Sequence, residues 1–235
     1  MPINLDSSFS VYHLVERLHN KDTQLLQDRK TMNTISYEIE NATLVDSANT
    51  RIFAGFQKMS KFLPQIKRYT RIAQKAEAVY VFGIMDVEVP EIPNIIYVPL
   101  EKYFQLAKEW FLVSFGTPFG SALATEELTN IDDPDEQRQF RGVWTFDVSM
   151  VAILDEWLNR TVDAQAILLT EDDINRKNQA MLISNIYNRM MKRIGTNTLT
   201  PASEPISKLN TQDNLKVVIK ETLQPLLYSS KTISW

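Results

Sequence analysis

The sequence contains no cysteine and only two histidines among its 235 residues. Without thiols, the chain has no disulfide, no thiolate nucleophile, no cysteine-ligated zinc and no thioether-linked chromophore. His13 and His19 are six residues apart on one predicted helix, a spacing that points the two rings in different directions rather than at a shared metal ion. We therefore predict no metal site and assign no catalytic residue.

Glycine-rich phosphate loops and calcium loops are also lacking. The stretch "GTPFGSA" has two glycines but not the Gly-Lys-Ser/Thr ending of a phosphate loop, so it is interpreted as a turn. The run "DDPDE" has four carboxylates without the glycine and distal glutamate of a calcium loop, which favours a solvated turn. A carboxylate-based enzyme stays an alternative through Glu38 and Glu40, although two helical residues at i and i+2 diverge by about 200°.

There is no excess of positive charge and no long apolar run. The chain has 25 Lys and Arg against 29 Asp and Glu, a net charge of −4, which argues against a nucleic-acid partner. No apolar run approaches the roughly 20 residues that a membrane span needs. The first residues lack the basic and apolar regions of a signal peptide. We therefore expect a cytoplasmic chain with no membrane span.

What the sequence does contain is an alternation of helical and strand-like segments. Arg51–Gln57 and Ala78–Met85 are apolar runs typical of buried strands, and the segment between them is an amphipathic helix, which predicts a parallel βαβ unit. Further strands are predicted at Asn94–Leu100, Glu109–Gly116, Phe140–Phe146 and Gln165–Thr170. Further helices are predicted at Ser8–Leu18, Thr31–Val45, Val148–Leu158 and Ile174–Ile194. The predicted fold is α/β or α+β, with a mixed sheet of about five or six strands flanked by helices and a C-terminal helical extension.

The stretch "RQFRGVWTFD" concentrates aromatic and basic residues directly after the acidic turn. In a strand, Phe140, Gly142 and Trp144 would share one face. We favour core packing for this face over a ligand wall, and a ligand wall over nucleic-acid contact. Gly142 would allow a close approach of backbone or ligand, and Asp147 is predicted to cap the helix that follows.

Five blocks of sequence, in this order, resemble the DICT family of sensory domains, which occurs with diguanylate cyclases and two-component systems. They are "YEIE", "IFAGFQ", "YTRIAQKAEAVYVFG", "EWFLV" and "FRGVWTFD", and the resemblance extends from about Ser7 to Leu158. By this resemblance, recurrent positions of the family are occupied by Gln57, Tyr69, Gly83, Trp110, Trp144 and Asp147. The family is abundant in cyanobacteria and often linked to light signalling, and the resemblance implies neither a catalytic residue nor a particular cofactor.

The domain division follows from this resemblance and from the polar, proline-containing stretch Thr196–Gln212. We expect a DICT-like sensory domain at residues 1–170, a C-terminal helix at 171–195, a flexible linker at 196–212 and a terminal amphipathic segment at 213–235. The expected function is a non-enzymatic signalling module, in light or two-component signalling, that binds a small ligand or a protein partner. A carboxylate-based enzyme and a purely structural adaptor are the alternatives.

If a small ligand binds, we expect it between the sheet and a covering helix, where aromatic walls and a few polar groups would hold it. The candidate residues are Phe56, Gln57, Tyr69, Trp110, Arg141 and Trp144. The alternative is that these side chains only fill the core.

The predicted helix Ile174–Ile194 has a long apolar stripe that has to be covered by something. Its candidate interaction residues are Ile183, Ile186, Tyr187, Met190 and Ile194. We expect a homodimer or a signalling protein to cover it, with packing on its own domain as the alternative. The segment Asp213–Leu223 is predicted to fold back or to dock on the signalling protein.

Overall fold

The computed structural model describes residues 5–18, 25–134, 136–164 and 168–197. Within these ranges one sheet of seven strands separates two layers of helices. The strands are β1 (Leu25–Asp28), β2 (Arg51–Lys58), β3 (Ala78–Ile84), β4 (Ile95–Pro99), β5 (Glu109–Gly116), β6 (Phe119–Glu127) and β7 (Gln139–Thr145). The helices are α1 (Val11–Leu18), α2 (Arg29–Leu44), α3 (Met59–Phe62), α4 (Ile66–Ala73), α5 (Val148–Thr161) and α6 (Arg176–Asn197), and short 3₁₀ turns occupy Leu63–Gln65, Gln105–Lys108 and Glu171–Asp173.

The strand order is β1-β7-β6-β5-β2-β3-β4. β2, β3 and β4 are parallel to one another, and the remaining neighbours are antiparallel. The predicted parallel βαβ unit is confirmed, because Arg51 is in register with Ala78 and both strands are buried along most of their length. The predicted mixed sheet with flanking helices and a C-terminal helix is also confirmed; the four-residue β1 adds a short edge to six longer strands.

Three segments differ from the sequence prediction. β6 begins at Phe119, inside the stretch predicted as a turn. Only Thr117 and Pro118 connect it to β5, and pairing with β5 stabilises as a strand a segment whose own strand propensity is modest. The predicted helix between β2 and β3 is divided into α3, a 3₁₀ turn and α4, since Pro64 removes a backbone donor. Of the strand predicted at Gln165–Thr170, residues 165–167 lie outside the described ranges and residues 168–170 are not a strand.

The two faces of the sheet carry separate apolar clusters. One face packs against α2, α4 and α6, and the other packs against α1 and α5. β7 shows the predicted alternation, since Phe140 and Trp144 join the first cluster and Val143 the second. The predicted close approach at Gly142 is confirmed for the backbone of β6: a Cβ there would lie 2.4 Å from the carbonyl oxygen of Ala124.

Asp147 caps α5 as predicted, because its carboxylate accepts hydrogen bonds from the backbone N–H groups of Ser149 and Met150. One side of α5 is open to solvent. Ile153 and Trp157 are 40% and 50% exposed, and Trp157 is covered in part only by the stacked ring of Phe9, at 5.4 Å.

α6 packs against the domain that precedes it. Its residues Leu182 and Ile186 are buried in the α2–α4 cluster. The side-chain amide of Gln179 bonds to both the N–H and the carbonyl of Gly120, at 2.8 and 2.9 Å. This helix starts at Arg176 and passes Gly195, where it was predicted to stop.

The other interaction candidates differ in how far they are buried. Ile183 and Met190 are partly buried, while Tyr187 is 61% exposed. The side chain of Ile194, the predicted segment Asp213–Leu223 and nearly all of the predicted linker lie outside the described residues. Self-association through α6 stays a prediction.

Candidate functional site

A cavity lies between α2 and the end of β2. Its volume is about 50 Å³, enough for a few water molecules or for one small group of a ligand. α2 lines it with residues spaced three or four apart, which share one face of a helix. They are Arg29, Asn33, Ser36 and Glu40.

Aromatic side chains form the apolar wall of this cavity. Phe56 lines it and is held edge-on by Phe62 at 5.2 Å and by Tyr69 at 5.4 Å. Trp110 lines it from β5 and makes an edge contact with Phe140 at 5.5 Å. Because each ring is fixed by another ring, the wall is preformed.

Gln57, at the end of β2, belongs to a buried polar network. Its amide Nε2–H donates to Oε2 of Glu127 at 2.8 Å, and its Oε1 accepts from Nη2 of Arg138 at 2.6 Å. Arg138 also donates to both carboxylate oxygens of Glu127, at 2.7 and 2.8 Å. Their side chains are almost fully buried, so removing one partner would leave an uncompensated charge in the interior.

The backbone of Gln57 is strained. Its φ is 63°, in the left-handed region that a residue with a Cβ seldom adopts, and the pairing of β2 with β3 shifts register at this point. Gln57 and Glu127 also border an open depression of about 690 Å³ at the carboxyl ends of β2 and β3. In open α/β sheets, ligands bind at such strand ends where the strand order reverses. Backbone strain such as that of Gln57 also concentrates at functional sites.

Glu40 is buried beside the cavity but already has partners. Its carboxylate accepts hydrogen bonds from Nε of Arg68 and from the hydroxyl of Tyr69, the latter at 2.9 Å. Burial raises the pKa of Glu40, and Arg68 partly offsets this rise. Burial also raises the pKa of Tyr69 well above its usual value, with a further contribution from Glu40. These groups hold α4 against α2.

Ser36 is a buried polar residue of the cavity wall. It is 6% exposed, and among the described residues its Oγ has no hydrogen-bond partner. A helical serine ordinarily donates to the carbonyl four residues earlier or faces solvent, and a buried unpaired hydroxyl is uncommon in a folded protein. The hydroxyl is therefore available to a molecule in the cavity.

The sequence-predicted ligand residues do not all meet here. Phe56, Gln57 and Trp110 line the cavity, and Tyr69 lies directly behind Phe56. Trp144 is on the same sheet face but outside the lining, where its indole N–H donates to Oγ of Ser121 at 3.1 Å.

Arg141 lies on the opposite face of the sheet. Its guanidinium pairs with Glu126 at 2.7 Å and sits 5.3 Å from the ring centre of Tyr12 in α1. Since neighbouring residues of a strand face opposite sides, Arg141 cannot join residues that share the face of Phe140. The six candidates therefore do not form one pocket.

The sequence profile of the DICT family, described as a sensory domain in diguanylate cyclases and two-component systems, matches residues 8–128. These residues are just over half of the chain. The chain belongs to the DICT family. The family is a sensory domain family, which supports a sensory role in signal transduction.

The cavity is largely contained in the matched part of the DICT domain. Every lining residue except Arg138 falls within residues 8–128. Four of the five blocks that carried the resemblance also fall within it, whereas "FRGVWTFD" lies beyond it in β7. Strand β7 continues the same sheet, because it pairs with β6 and supplies Phe140 to the core.

A crystal structure of polyphosphate kinase from Porphyromonas gingivalis is similar over 77% of this chain and 31% of that one, with 14% identity and a TM-score of 0.38. The chain thus spans about a third of the length of that structure. A comparison with curated proteins found no match.

Within the described residues of this DICT protein, no three His, Asp or Glu side chains converge as they would around a metal ion. Glu38 and Glu40 point to different neighbours: Glu38 pairs with Arg189 of α6, and Glu40 pairs with Arg68 of α4. Among the helices of the described part, none is long and apolar enough to cross a membrane.

Sequence reasoning missed Ser36, Glu127 and Arg138. Ser36 could have been found, because polar residues recur at helical spacing beside the apolar stripe of α2, a sign of a buried polar face. Glu127 and Arg138 carry no such local signal. Gln57 and Arg138 are 81 residues apart in the chain and meet only in the folded sheet.

Proposed function

We propose that this DICT protein is a non-enzymatic signalling module that binds a small ligand in the cavity between α2 and the end of β2. The observation that carries the proposal is the buried Ser36 hydroxyl, which has no partner among the described residues and faces a cavity with a preformed aromatic wall. Buried polar groups without partners are rare in stable cores. A ligand that hydrogen-bonds Ser36 would remove this cost.

The ligand signal would leave the cavity through Gln57. This residue lines the cavity on one side and borders the larger depression on the other. Hydrogen bonds from the Gln57 side chain to Glu127 and Arg138 hold its strained backbone in place. A ligand that competes for the Gln57 amide would weaken these bonds and so favour a different backbone conformation. The segment after β6 would respond, and a signalling protein that contacts it would read the change.

We favour a colourless metabolite over a chromophore in this cavity. A volume of about 50 Å³ admits only a group of a few atoms, whereas pockets for drug-sized molecules are roughly 300–1,000 Å³. A role in light signalling would therefore require a chromophore on a partner. Visible absorbance of the purified protein would contradict this choice.

Tryptophan fluorescence tests the ligand proposal directly. Trp110 lines the cavity, while Trp144 is a partly buried tryptophan on the same sheet face outside it. A metabolite panel should contain a compound that changes the emission of the wild type and of Trp144→Phe, but not that of Trp110→Phe. If no compound changes the emission, or if the change survives in Trp110→Phe and is lost in Trp144→Phe, the cavity is not the ligand site. Turnover of the bound compound would favour the enzyme alternative.

Self-association would use the outer side of α6. Leu182 and Ile186 are buried within the domain, but Met181, Tyr187 and Met191 are 52%, 61% and 45% exposed. We expect a dimer in light scattering after size exclusion, and a monomer for Tyr187→Ser. A monomeric wild type, or a variant that remains dimeric, would exclude this surface.

A further inference from the structure

We propose that the ligand inserts an uncharged carboxamide, or a cyclic amide with the same hydrogen-bonding pattern, into the cavity, where Asn33 and Ser36 bind it. This inference rests on the proposed function and names the chemical class that the cavity selects. Three features of the described residues lead to it: the pairing of the charged side chains, the polar groups that α2 leaves without partners, and the size of the cavity.

The charged side chains around the cavity are already compensated. Glu40 and Arg138 each form an ion pair with an oppositely charged neighbour. Arg29 and Lys61, the other charged residues of the lining, also have interaction partners. A charged group of a ligand would therefore enter this largely buried space without a counter-charge, which is costly. The cavity thus favours an uncharged group.

Two polar side chains of α2 in the cavity wall have no partner among the described residues. One is the buried hydroxyl of Ser36, and the other is the side-chain amide of Asn33, which is half-buried. Both line the cavity, and residues three apart are neighbours on one face of a helix. The helix therefore offers an amide and a hydroxyl, side by side, to a molecule in the cavity.

A carboxamide matches this pair of groups. The Asn33 side chain has a carbonyl acceptor beside an NH₂ donor, and a ligand carboxamide has the same two groups in reverse, so that two parallel hydrogen bonds can form. The Ser36 hydroxyl can then donate to the second lone pair of the ligand carbonyl. A carboxylate only accepts and an ammonium only donates, so either one would leave half of the Asn33 amide unpaired.

The size of the cavity limits what can enter it. A volume of about 50 Å³ suits a carboxamide, which has about three heavy atoms. The rest of the ligand has room in an open groove of about 490 Å³, which shares Asn33 and Tyr37 with the cavity. In this groove Arg193 pairs with Glu38 at 2.8 Å, and Arg29 has a partner as well. The groove therefore does not require a charged ligand either.

Calorimetric titration of the full chain with three matched probes tests the inference. The probes are benzamide, benzoate and N,N-dimethylbenzamide, which share one ring and differ in the group that they offer to the cavity. Benzoate carries a charge and has no donor, and N,N-dimethylbenzamide is neutral but also has no donor. We expect benzamide to bind at least about tenfold more tightly than either of the others, because each of them leaves a polar group unpaired.

Variants at the two α2 residues test the contacts themselves. Ser36→Ala and Asn33→Ala should each weaken the binding of benzamide about tenfold, and alanine retains the helix. Asn33→Ala should also remove the preference for benzamide over N,N-dimethylbenzamide, which a purely structural role of Asn33 would not do. Ser184→Ala is the matched control, because Ser184 is an exposed helical serine outside the cavity that donates to the carbonyl of Ala180. This control should bind as the wild type does.

Failure of this inference differs from failure of the proposed function. If benzoate binds as tightly as benzamide, or if none of the probes binds at millimolar concentration, the class assignment is wrong. If Ser36→Ala or Asn33→Ala binds benzamide as the wild type does, the ligand group does not reach these side chains and the inference is overturned. The proposed function fails if the broader metabolite panel leaves the Trp110 emission unchanged.

Discussion

The carboxyl group of Glu109 should make this protein less stable as the pH rises from acidic to neutral. Glu109 begins β5 and is fully buried. Its Oε2 accepts hydrogen bonds from the backbone N–H groups of Val11 and Tyr12, at 2.9 and 3.1 Å, and its Oε1 accepts from the hydroxyl of Ser10. Burial outweighs these three donors and raises the pKa of Glu109 from 4.5 to about 7.

The sign follows from proton binding in the two states. Between pH 4.5 and about 7, the folded protein keeps the Glu109 proton that the unfolded chain has lost, so the free energy of unfolding falls as the pH rises. The stabilisation is fully present below pH 4.5 and is lost as the pH passes the folded pKa of about 7. At about 1.4 kcal/mol per pKa unit, the loss from this group is about 3 kcal/mol.

Urea unfolding of the wild type and of Glu109→Gln, from pH 4.5 to pH 8, measures this difference. The variant has no titrating group at this position, so the stability of the wild type relative to the variant should fall by about 3 kcal/mol across the range. His13 and the other ionisable groups are common to both proteins and cancel. Glu101→Gln, at an exposed position, should follow the wild type at every pH. If the wild type instead gains stability over the variant as the pH rises, the donors at the start of α1 outweigh burial and the reasoning is refuted.

Substitutions at four further positions test the network and the packing by urea unfolding. Arg138→Met should destabilise the fold by about 3–5 kcal/mol because it leaves the buried Glu127 charge without its cation; a loss below about 1 kcal/mol would mean that water reaches the carboxylate. Gln57→Gly relieves roughly 1–3 kcal/mol of backbone strain but removes two hydrogen bonds to charged groups, about 1.5–3 kcal/mol each, so we expect net destabilisation; a stabilised variant would show that strain is the larger quantity. Gly142→Ala should cost at least about 1–3 kcal/mol, since its Cβ would meet backbone; unchanged stability would show that β6 and β7 can separate. Asp147→Ala should cost about 1 kcal/mol through loss of the α5 cap, whereas Asp147→Asn should retain most of it; equal losses in both would exclude capping as the cause.

Local spacing was enough to predict several parts of this protein. The apolar runs of β2 and β3 predicted parallel strands buried on both faces, because such runs have no polar face to turn to water. Asp147 was recognised as a cap because an aspartate directly before an apolar helix supplies the acceptor that the first turn needs. The ordered blocks between Tyr37 and Val113 predicted membership of the DICT family. The family match confirms this prediction, because its residues 8–128 include these blocks.

Only the tertiary structure decided where these elements meet. β6 is a strand because it pairs with the edge of β5. No residue within β6 predicts this pairing from the sequence. Ser36 lies on α2, Gln57 on β2 and Arg138 directly before β7, and the sheet order β7-β6-β5-β2 with α2 across it brings them to one cavity. Periodicity is a property of neighbours along the chain, so the sequence by itself determined helices, strands, their buried faces and the family. Strand order depends on packing free energy summed over the whole core, so the cavity and the Ser36 hydroxyl in its wall were set only when the chain folded.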